Sequence, residues 1–236
     1  MTQVDNRLLY DTHWHAWEEI KRWGPMSRHA RRLVFKVCRK LAFSSVLDVG
    51  CGPGIFLEEV GRRYPSVRLA GVDLSSAAIE QARRRLPQAD LWVMDVAVEI
   101  PGTRFSLVTL IDVAEHIEED LAAFRNLRGL CTGHLLVCTL EGRMRGFEKD
   151  IGHVRNYRPG ELEGKLREAG FEVRGYLRWG WPCYSPLYRN LSSGIDAHRK
   201  RITFTRQALA RLAYWLLFCN WPGQGDLVIA LARPRA

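Results

Sequence analysis

The spacing of apolar residues in this chain changes period along its length. Between Arg31 and Leu41, the residues Leu33, Val34, Val37 and Leu41 fall on one stripe of a helix with basic residues opposite. The first forty residues therefore read as helical. From Ser45 onward the pattern becomes a series of short apolar runs, each ending in polar or glycine-rich residues. Runs at Ser45–Gly50, Val67–Asp73, Leu91–Asp95, Phe105–Asp112, His134–Leu140, Phe171–Leu177 and Asp226–Ala232 predict seven strands. Helical spacing fills several of the gaps: Ile55–Arg63, about Ser76–Leu86, a segment carrying Ile117, Leu121 and Phe124, and Pro159–Gly170. The last has Pro at its start and Gly just past its end, the usual asymmetry of helix termini. Strands alternating with helices require crossover connections, so an α/β chain with a mostly parallel, doubly wound sheet follows. A single domain spanning 1–236 is expected, with a helical lid over 1–42 and an aromatic, basic insertion over 181–225, between the sixth and seventh strands.

Open parallel sheets bind ligands beyond the carboxyl ends of their strands. The first such end reads Asp48-Val-Gly50-Cys51-Gly52-Pro-Gly54, and its three alternating glycines let the backbone turn tightly and approach a ligand closely. Ile55 stands where a dinucleotide fingerprint needs its last glycine, and no Gly-Lys-Ser/Thr follows. The loop suits a ligand with a nucleoside and no pyrophosphate, although glycine turns after strands also occur without any ligand. Asp73 ends the second run, where an acid can accept from both ribose hydroxyls; equally, Asp73 or Ser75 could cap the next helix. Asp95 ends the third run, placed to accept from an adenine amino group or to sit in a solvated turn.

The segments VLDVGCGPG from Val46, GVDLSSAAIEQAR from Gly71, DLWVMDV from Asp90 and SLVTLIDVAEHIEE from Ser106 resemble, in order, the motifs of class I S-adenosylmethionine (SAM)-dependent methyltransferases. The resemblance runs from about Val46 to Phe171. The stretches His153–Gly160 and Glu168–Val173 are similar to the small-molecule branch, which includes the ubiquinone-biosynthesis O-methyltransferases. This implies a Rossmann-like sheet of seven strands whose last is antiparallel. It also implies SAM as cofactor and S-adenosylhomocysteine as product. By position, Asp48, Gly50, Cys51, Gly52 and Gly54 would face the methionine part, Asp73 with Leu74 the ribose, and Asp95 with Val96 the adenine. Ile111 and Asp112 would lie beside the sulfonium, and Arg28 would meet the SAM carboxylate.

If helical, Asp112, Glu115 and His116 share one face, and the ubiquinone-pathway relatives use a similar Glu-x-x-Glu-His cluster for a divalent cation. Here the first member is the shorter aspartate, and the expectation is no metal, with Asp112 capping the helix. Methyl transfer is an in-line displacement that leaves a nucleophile's proton to be removed, and histidine titrates in the right range. His116 and His153 are the candidate bases; either could instead orient the substrate.

Composition narrows the partners. A formal charge of +9 favours anionic ones, but no RNA-binding motif is present and no nucleic acid is expected. Tyr10, Trp14 and Trp17 share a helical face in the expected lid. In the insertion, Leu209–Phe218 follows His198-Arg-Lys-Arg201, which suits peripheral membrane contact through 204–221, the roof of an apolar pocket, or plain packing. The six cysteines lack any CxxC pair and read as reduced thiols, and the N-terminus does not resemble a secretory signal, so a cytoplasmic location is expected. The leading reading is methyl transfer to oxygen or nitrogen of a small molecule. The alternatives are a lipid-like or quinone acceptor at a membrane surface and a non-catalytic SAM-binding regulator.

Overall fold

The computed structural model describes residues 18, 19, 21–191 and 204–235. The expected aromatic face of Tyr10, Trp14 and Trp17 and the basic run 198–201 lie outside these residues. Helix α1 (Pro25–Cys38) is followed by β1 (Ser45–Val49), α2 (Ile55–Arg63), β2 (Arg68–Asp73), α3 (Ser76–Arg85) and β3 (Asp90–Val93). Then come β4 (Phe105–Ile111), α4 (Asp120–Leu130), β5 (Cys131–Leu140), α5 (Gly146–Asp150), α6 (Glu161–Glu168) and β6 (Phe171–Trp181). The insertion supplies short helical turns over Tyr184–Leu191, helix α7 (Phe204–Leu216) and β7 (Trp221–Pro222), and β8 (Leu227–Pro234) closes the chain.

The strands form one sheet in the order β3-β2-β1-β4-β5-β8-β6-β7. Pairings from β3 through β5 are parallel, whereas β8 runs antiparallel to both β5 and β6. The antiparallel closing strand is as expected; the count of seven is corrected to eight. The eighth arises because β6 continues past Leu177 to Trp181, where Trp179 and Trp181 pair with the two-residue β7. Trp179, Gly180 and Trp181 follow no clean apolar alternation, so this edge left no period-two signal in the sequence.

Alternation along the strands splits the core into two layers. Val46, Leu107, Leu136 and Cys138 face a cluster shared with Leu33, Val34, Phe35 of α1 and Phe56, Leu57 of α2. Leu47, Val108, Leu110 and Val137 face the other side, against Phe124 and Leu127 of α4 and Leu162 and Leu166 of α6. Helix α7 lies on α1: His29 Nε2 meets the Tyr214 carbonyl at 2.8 Å, and the Arg32 guanidinium lies 4.6 Å from the Phe218 ring centre.

The described part of the N-terminal segment is tied down by charge. Glu18 pairs with Arg85, Arg22 with Glu58 at 3.5 Å, and Lys21 with Asp112 at 3.2 Å. Arg31 secures this segment from α1, donating to the Lys21 carbonyl at 2.6 Å and to Glu59 at 2.8 Å. Residues from α2, α3 and the end of β4 are thus held in one frame with the residues that precede α1.

Candidate active site

The loop after β1 takes left-handed backbone at all three of its glycines: φ is 66° at Gly50, 53° at Gly52 and 80° at Gly54. At Gly50 a side chain is also excluded by space, since a Cβ there would sit 2.4 Å from Val113 Cγ2. The loop therefore presents backbone rather than side chains beyond β1. Gly52 N–H donates to Asp73 Oδ2 at 2.8 Å, and Ser75 N–H donates to Asp73 Oδ1 at 2.9 Å. Ser75, and not Asp73, caps α3, its Oγ accepting from Ala78 N–H at 3.1 Å. The cap and the ribose-position acid are thus separate residues, and Asp73 is tied to the loop after β1.

Asp48 points to the same side of the sheet as Val46, nearly inaccessible, where Thr109 Oγ1 donates to its Oδ1 at 2.7 Å. Burial pushes its carboxyl up from 3.8 to about 7, with nearby Asp73 adding to the rise against the Thr109 hydrogen bond. Cys51 is buried beside it, and Gly71 of β2 leaves room for its sulfur: a Cβ there would be 2.7 Å from Sγ. Burial raises the Cys51 thiol well above its ordinary value, helped by Asp73 and Asp48. Cys138, under Asp112, is raised likewise by burial and then by Asp112 and Glu115.

β3 stops at Val93, so Asp95 lies in a turn, its Oδ1 accepting from Ala97 N–H at 2.9 Å. Val96 is buried and Leu74 half-buried. At the end of β4, Ile111 is half-buried and Asp112 has φ 54°, a non-glycine residue held in left-handed backbone. Such backbone is costly and concentrates at functional sites. Its N–H donates to the Cys138 carbonyl at 2.9 Å and its carboxylate takes the Lys21 ion pair.

The helical spacing expected for Asp112, Glu115 and His116 does not form. Asp112 turns left-handed, only a single 3-10 turn covers Ala114–His116, and α4 starts at Asp120. The groups that converge are instead Glu115, His116 and His153, whose donor atoms lie within 4.8 Å of one another. Glu115 is buried, its Oε2 accepting from Thr139 Oγ1 at 2.7 Å, and burial raises its carboxyl. His116 Nδ1 lies 3.0 Å from the Gly152 carbonyl, so that nitrogen carries the proton and Nε2 is the acceptor. Burial first, then His153, lowers the His116 pKa well below 6.5, which keeps the ring neutral. The His116 and His153 rings meet edge-to-face at 4.6 Å, and His153 Nδ1 lies 3.3 Å from Asn156 Oδ1. One carboxylate and two imidazoles are a donor set a divalent cation accepts. In this arrangement, however, Glu115 and His116 are engaged by protein hydrogen bonds.

Arg28 is engaged elsewhere, its guanidinium 3.7 Å from the Tyr214 ring centre on α7. Lys21, Arg31 and Arg85 were not singled out from sequence, though Arg85 donates to the Pro53 carbonyl of the glycine loop and Lys21 reaches Asp112. Isolated basic residues carry no periodic signal, and only their spatial partners reveal them. A second charged group lies where the insertion meets the sheet: buried Arg189 binds Glu148 Oε1 at 2.9 Å through Nε and also Asp226. Near it, buried Glu141 at the end of β5 takes Arg178 at 3.0 Å and the Tyr176 hydroxyl.

A sheet of this order, with one antiparallel strand inserted between β5 and β6 and a glycine loop after β1, defines the class I Rossmann-like architecture. Residues 26–175 match the family described as "Methyltransferase domain", and the chain belongs to that family. Trans-aconitate 2-methyltransferase of Afipia carboxidovorans is 32% identical over 124 residues, covering 52% of this chain and 48% of the relative. The chain thus spans about half the length of that relative. Ubiquinone biosynthesis O-methyltransferase of Pseudomonas aeruginosa is 27% identical over 184 residues, 67% of this chain and 77% of the relative. Among solved structures, the [4+2]-cyclase SpnF superposes with a TM-score of 0.64 at 19% identity, over 87% of this chain and 82% of that one. N-methyltransferase NodS from Bradyrhizobium japonicum, in complex with S-adenosylhomocysteine, has a TM-score of 0.62 at 16% identity, over 96% and 100%. At such identities the likeness is one of fold, and this fold serves a cyclase as well as methyltransferases; the activity must be argued from the site.

Proposed function

We propose that this chain transfers the methyl group of SAM to an oxygen or nitrogen of a small-molecule acceptor in the cytoplasm. The observation that carries the reading is the tie between Gly52 N–H and Asp73 at the ends of β1 and β2. It sets a bare backbone loop against a carboxylate at the end of the neighbouring strand. Family membership and the names of the relatives, a trans-aconitate 2-methyltransferase and a ubiquinone biosynthesis O-methyltransferase, support the same reaction class.

In this reading Asp48, Gly50, Cys51, Gly52 and Gly54 face the methionine part, and Arg28 would have to leave the Tyr214 ring to meet its carboxylate. Asp73 and Leu74 hold the ribose, Asp95 and Val96 the adenine, and Ile111 and Asp112 flank the sulfonium. The cofactor supplies an electrophilic methyl and a neutral sulfide leaving group. The protein's share is alignment, exclusion of water and removal of one proton. Gly152 fixes the His116 tautomer so that Nε2 is the nitrogen able to take the acceptor's proton as the new bond to carbon forms. Burial, and after it the neighbouring His153, lower the His116 pKa and so keep that ring neutral until that step. Among the described residues no helix is long and apolar enough to cross a membrane. Contact of residues 204–221 with a membrane would therefore be peripheral.

Titration calorimetry with SAM and S-adenosylhomocysteine, followed by labelled-methyl transfer to a panel of hydroxy, carboxy and amino acceptors, tests the proposal. Micromolar binding of both ligands and label in an acceptor are expected. Absence of binding to either ligand would defeat it, and tight binding with no transfer across the panel would point to a non-methylating use of the fold.

A further inference from the structure

Helix α7 presents a broad apolar face to solvent. Leu209, Leu212, Trp215 and Leu216, at helical spacing, are 56–68% exposed, and its inner face rests on α1 through Tyr214 and Leu217. The chain runs on into β7, where exposed Trp221 pairs in register with exposed Trp181 of β6. Single exposed leucines are ordinary on protein surfaces; a run of them with tryptophans on one element is not.

The stretches of sequence that contain α1 and α7 are basic. From Pro25 to Lys40, the stretch that contains α1, there are six basic residues and no acidic one. From 192 to 225, the stretch that contains α7, there are five basic residues against Asp196. Together these two stretches carry slightly more positive charge than the net +9 of the whole chain, so the remainder is close to neutral. The two helices pack on each other, with Arg28 over Tyr214 and Arg32 over Phe218.

We propose that the α7 face, from Leu209 to Trp221, docks the protein onto an anionic lipid surface. The apolar side chains would enter the boundary between headgroups and acyl chains, while the basic stretches neutralise lipid phosphates. A second copy of this chain fits the face less well, because it would bring two such basic stretches together. A nucleic acid would find leucine and tryptophan where phosphate-binding groups are needed. About 20 Å of helix lies along this face, at 1.5 Å per residue over the length of α7. The docking proposal goes beyond the methyl-transfer reading and does not depend on it.

The test is co-sedimentation of the full chain with vesicles of phosphatidylcholine alone and of phosphatidylcholine mixed with phosphatidylglycerol. The comparison variant is the double change Leu212→Glu, Trp215→Glu, at two exposed positions outside the proposed cofactor site. Wild type should bind the anionic vesicles about tenfold better than the neutral ones, and high salt should weaken that binding. The double variant should lose about tenfold or more in partitioning, with unchanged unfolding temperature and SAM affinity. Three results would overturn the proposal: no vesicle binding, equal binding to both vesicle types, or wild-type binding by the double variant. It would also fall if light scattering showed a wild-type dimer that the double variant converts to monomer. A chain that binds anionic vesicles but not SAM would leave the docking proposal standing and remove the methyl-transfer one.

Discussion

Asp48→Asn should make the ligand-free protein more stable at high pH while weakening it as a cofactor-binding protein. Asp48 is almost completely buried and its carboxyl is raised from 3.8 to about 7, chiefly by that burial. Between those two values the folded protein holds a proton that the unfolded chain has released, so native stability falls as pH rises through the window. At 1.36 kcal/mol for each tenfold change in proton affinity, the accumulated penalty is about 4 kcal/mol above pH 8. Asparagine keeps the volume and an acceptor for Thr109, but gives up a charge-assisted hydrogen bond. The net gain should therefore be about 2 kcal/mol above pH 8. Urea unfolding of both proteins without ligand, from pH 5 to 8.5, reads this directly, because every other titrating group is common to the pair. The difference should grow with pH up to about 7 and then level off. A difference that does not change with pH would refute the argument that burial strains this carboxylate. In the same variant, SAM should bind more weakly, since the cationic cofactor loses an anion facing its methionine end.

Asp73→Ala removes the acceptor for two backbone N–H groups and should weaken SAM binding about a hundredfold by calorimetry; unchanged affinity would defeat the ribose assignment. His116→Ala should lower kcat about a hundredfold or more with SAM affinity nearly unchanged. Because its pKa lies well below 6.5, wild-type turnover should not fall off between pH 9 and 7 through His116 protonation, and turnover surviving the substitution would show that His116 is no base. Glu148→Leu leaves Arg189 buried without its main partner and should cost about 3 kcal/mol in urea unfolding; adding Arg189→Met should recover part of that loss, and strict additivity of the two changes would refute the pairing. Dialysis against EDTA should leave turnover unchanged, since Glu115 and His116 are held by Thr139 and Gly152; loss restored by magnesium would assign Glu115, His116 and His153 as ligands.

Where burial imposes a period, the sequence was informative. Helix α2 has the predicted bounds, and all seven strands predicted from apolar runs formed, several with shifted ends. The central runs, β1, β2 and β4, are largely buried on both faces, which leaves a continuous apolar signature. β7 escaped because a two-residue edge strand has no room for alternation, and its partner, the end of β6, is broken by Gly180. The turn after β4 was misread for a related reason. Asp112 to His116 has plausible helical spacing, and nothing local shows that Asp112 would turn left-handed to pass under Lys21. The glycine loop, Asp73 and Asp95 could be located at strand ends, since topology alone puts them there. His153 was legible as a histidine, but its approach to His116 depends on how the chain after β5 folds back, a contact 37 residues away in sequence that no short-range pattern encodes.

Two of the buried cysteines, Cys51 and Cys138, bear on a hazard particular to this chemistry. SAM alkylates good nucleophiles, and a thiolate is a far better one than the hydroxyl or amine of the proposed acceptor. Cys51 sits in the glycine loop, and the Cys138 carbonyl accepts from Asp112 N–H at the end of β4. Burial first, and acidic neighbours second, raise both thiols well above their ordinary value, which keeps them protonated. The carboxylates proposed to hold a cationic methyl donor would then also protect the enzyme from methylating itself. A neutral residue at Asp73 or Asp112 would weaken that safeguard along with the binding.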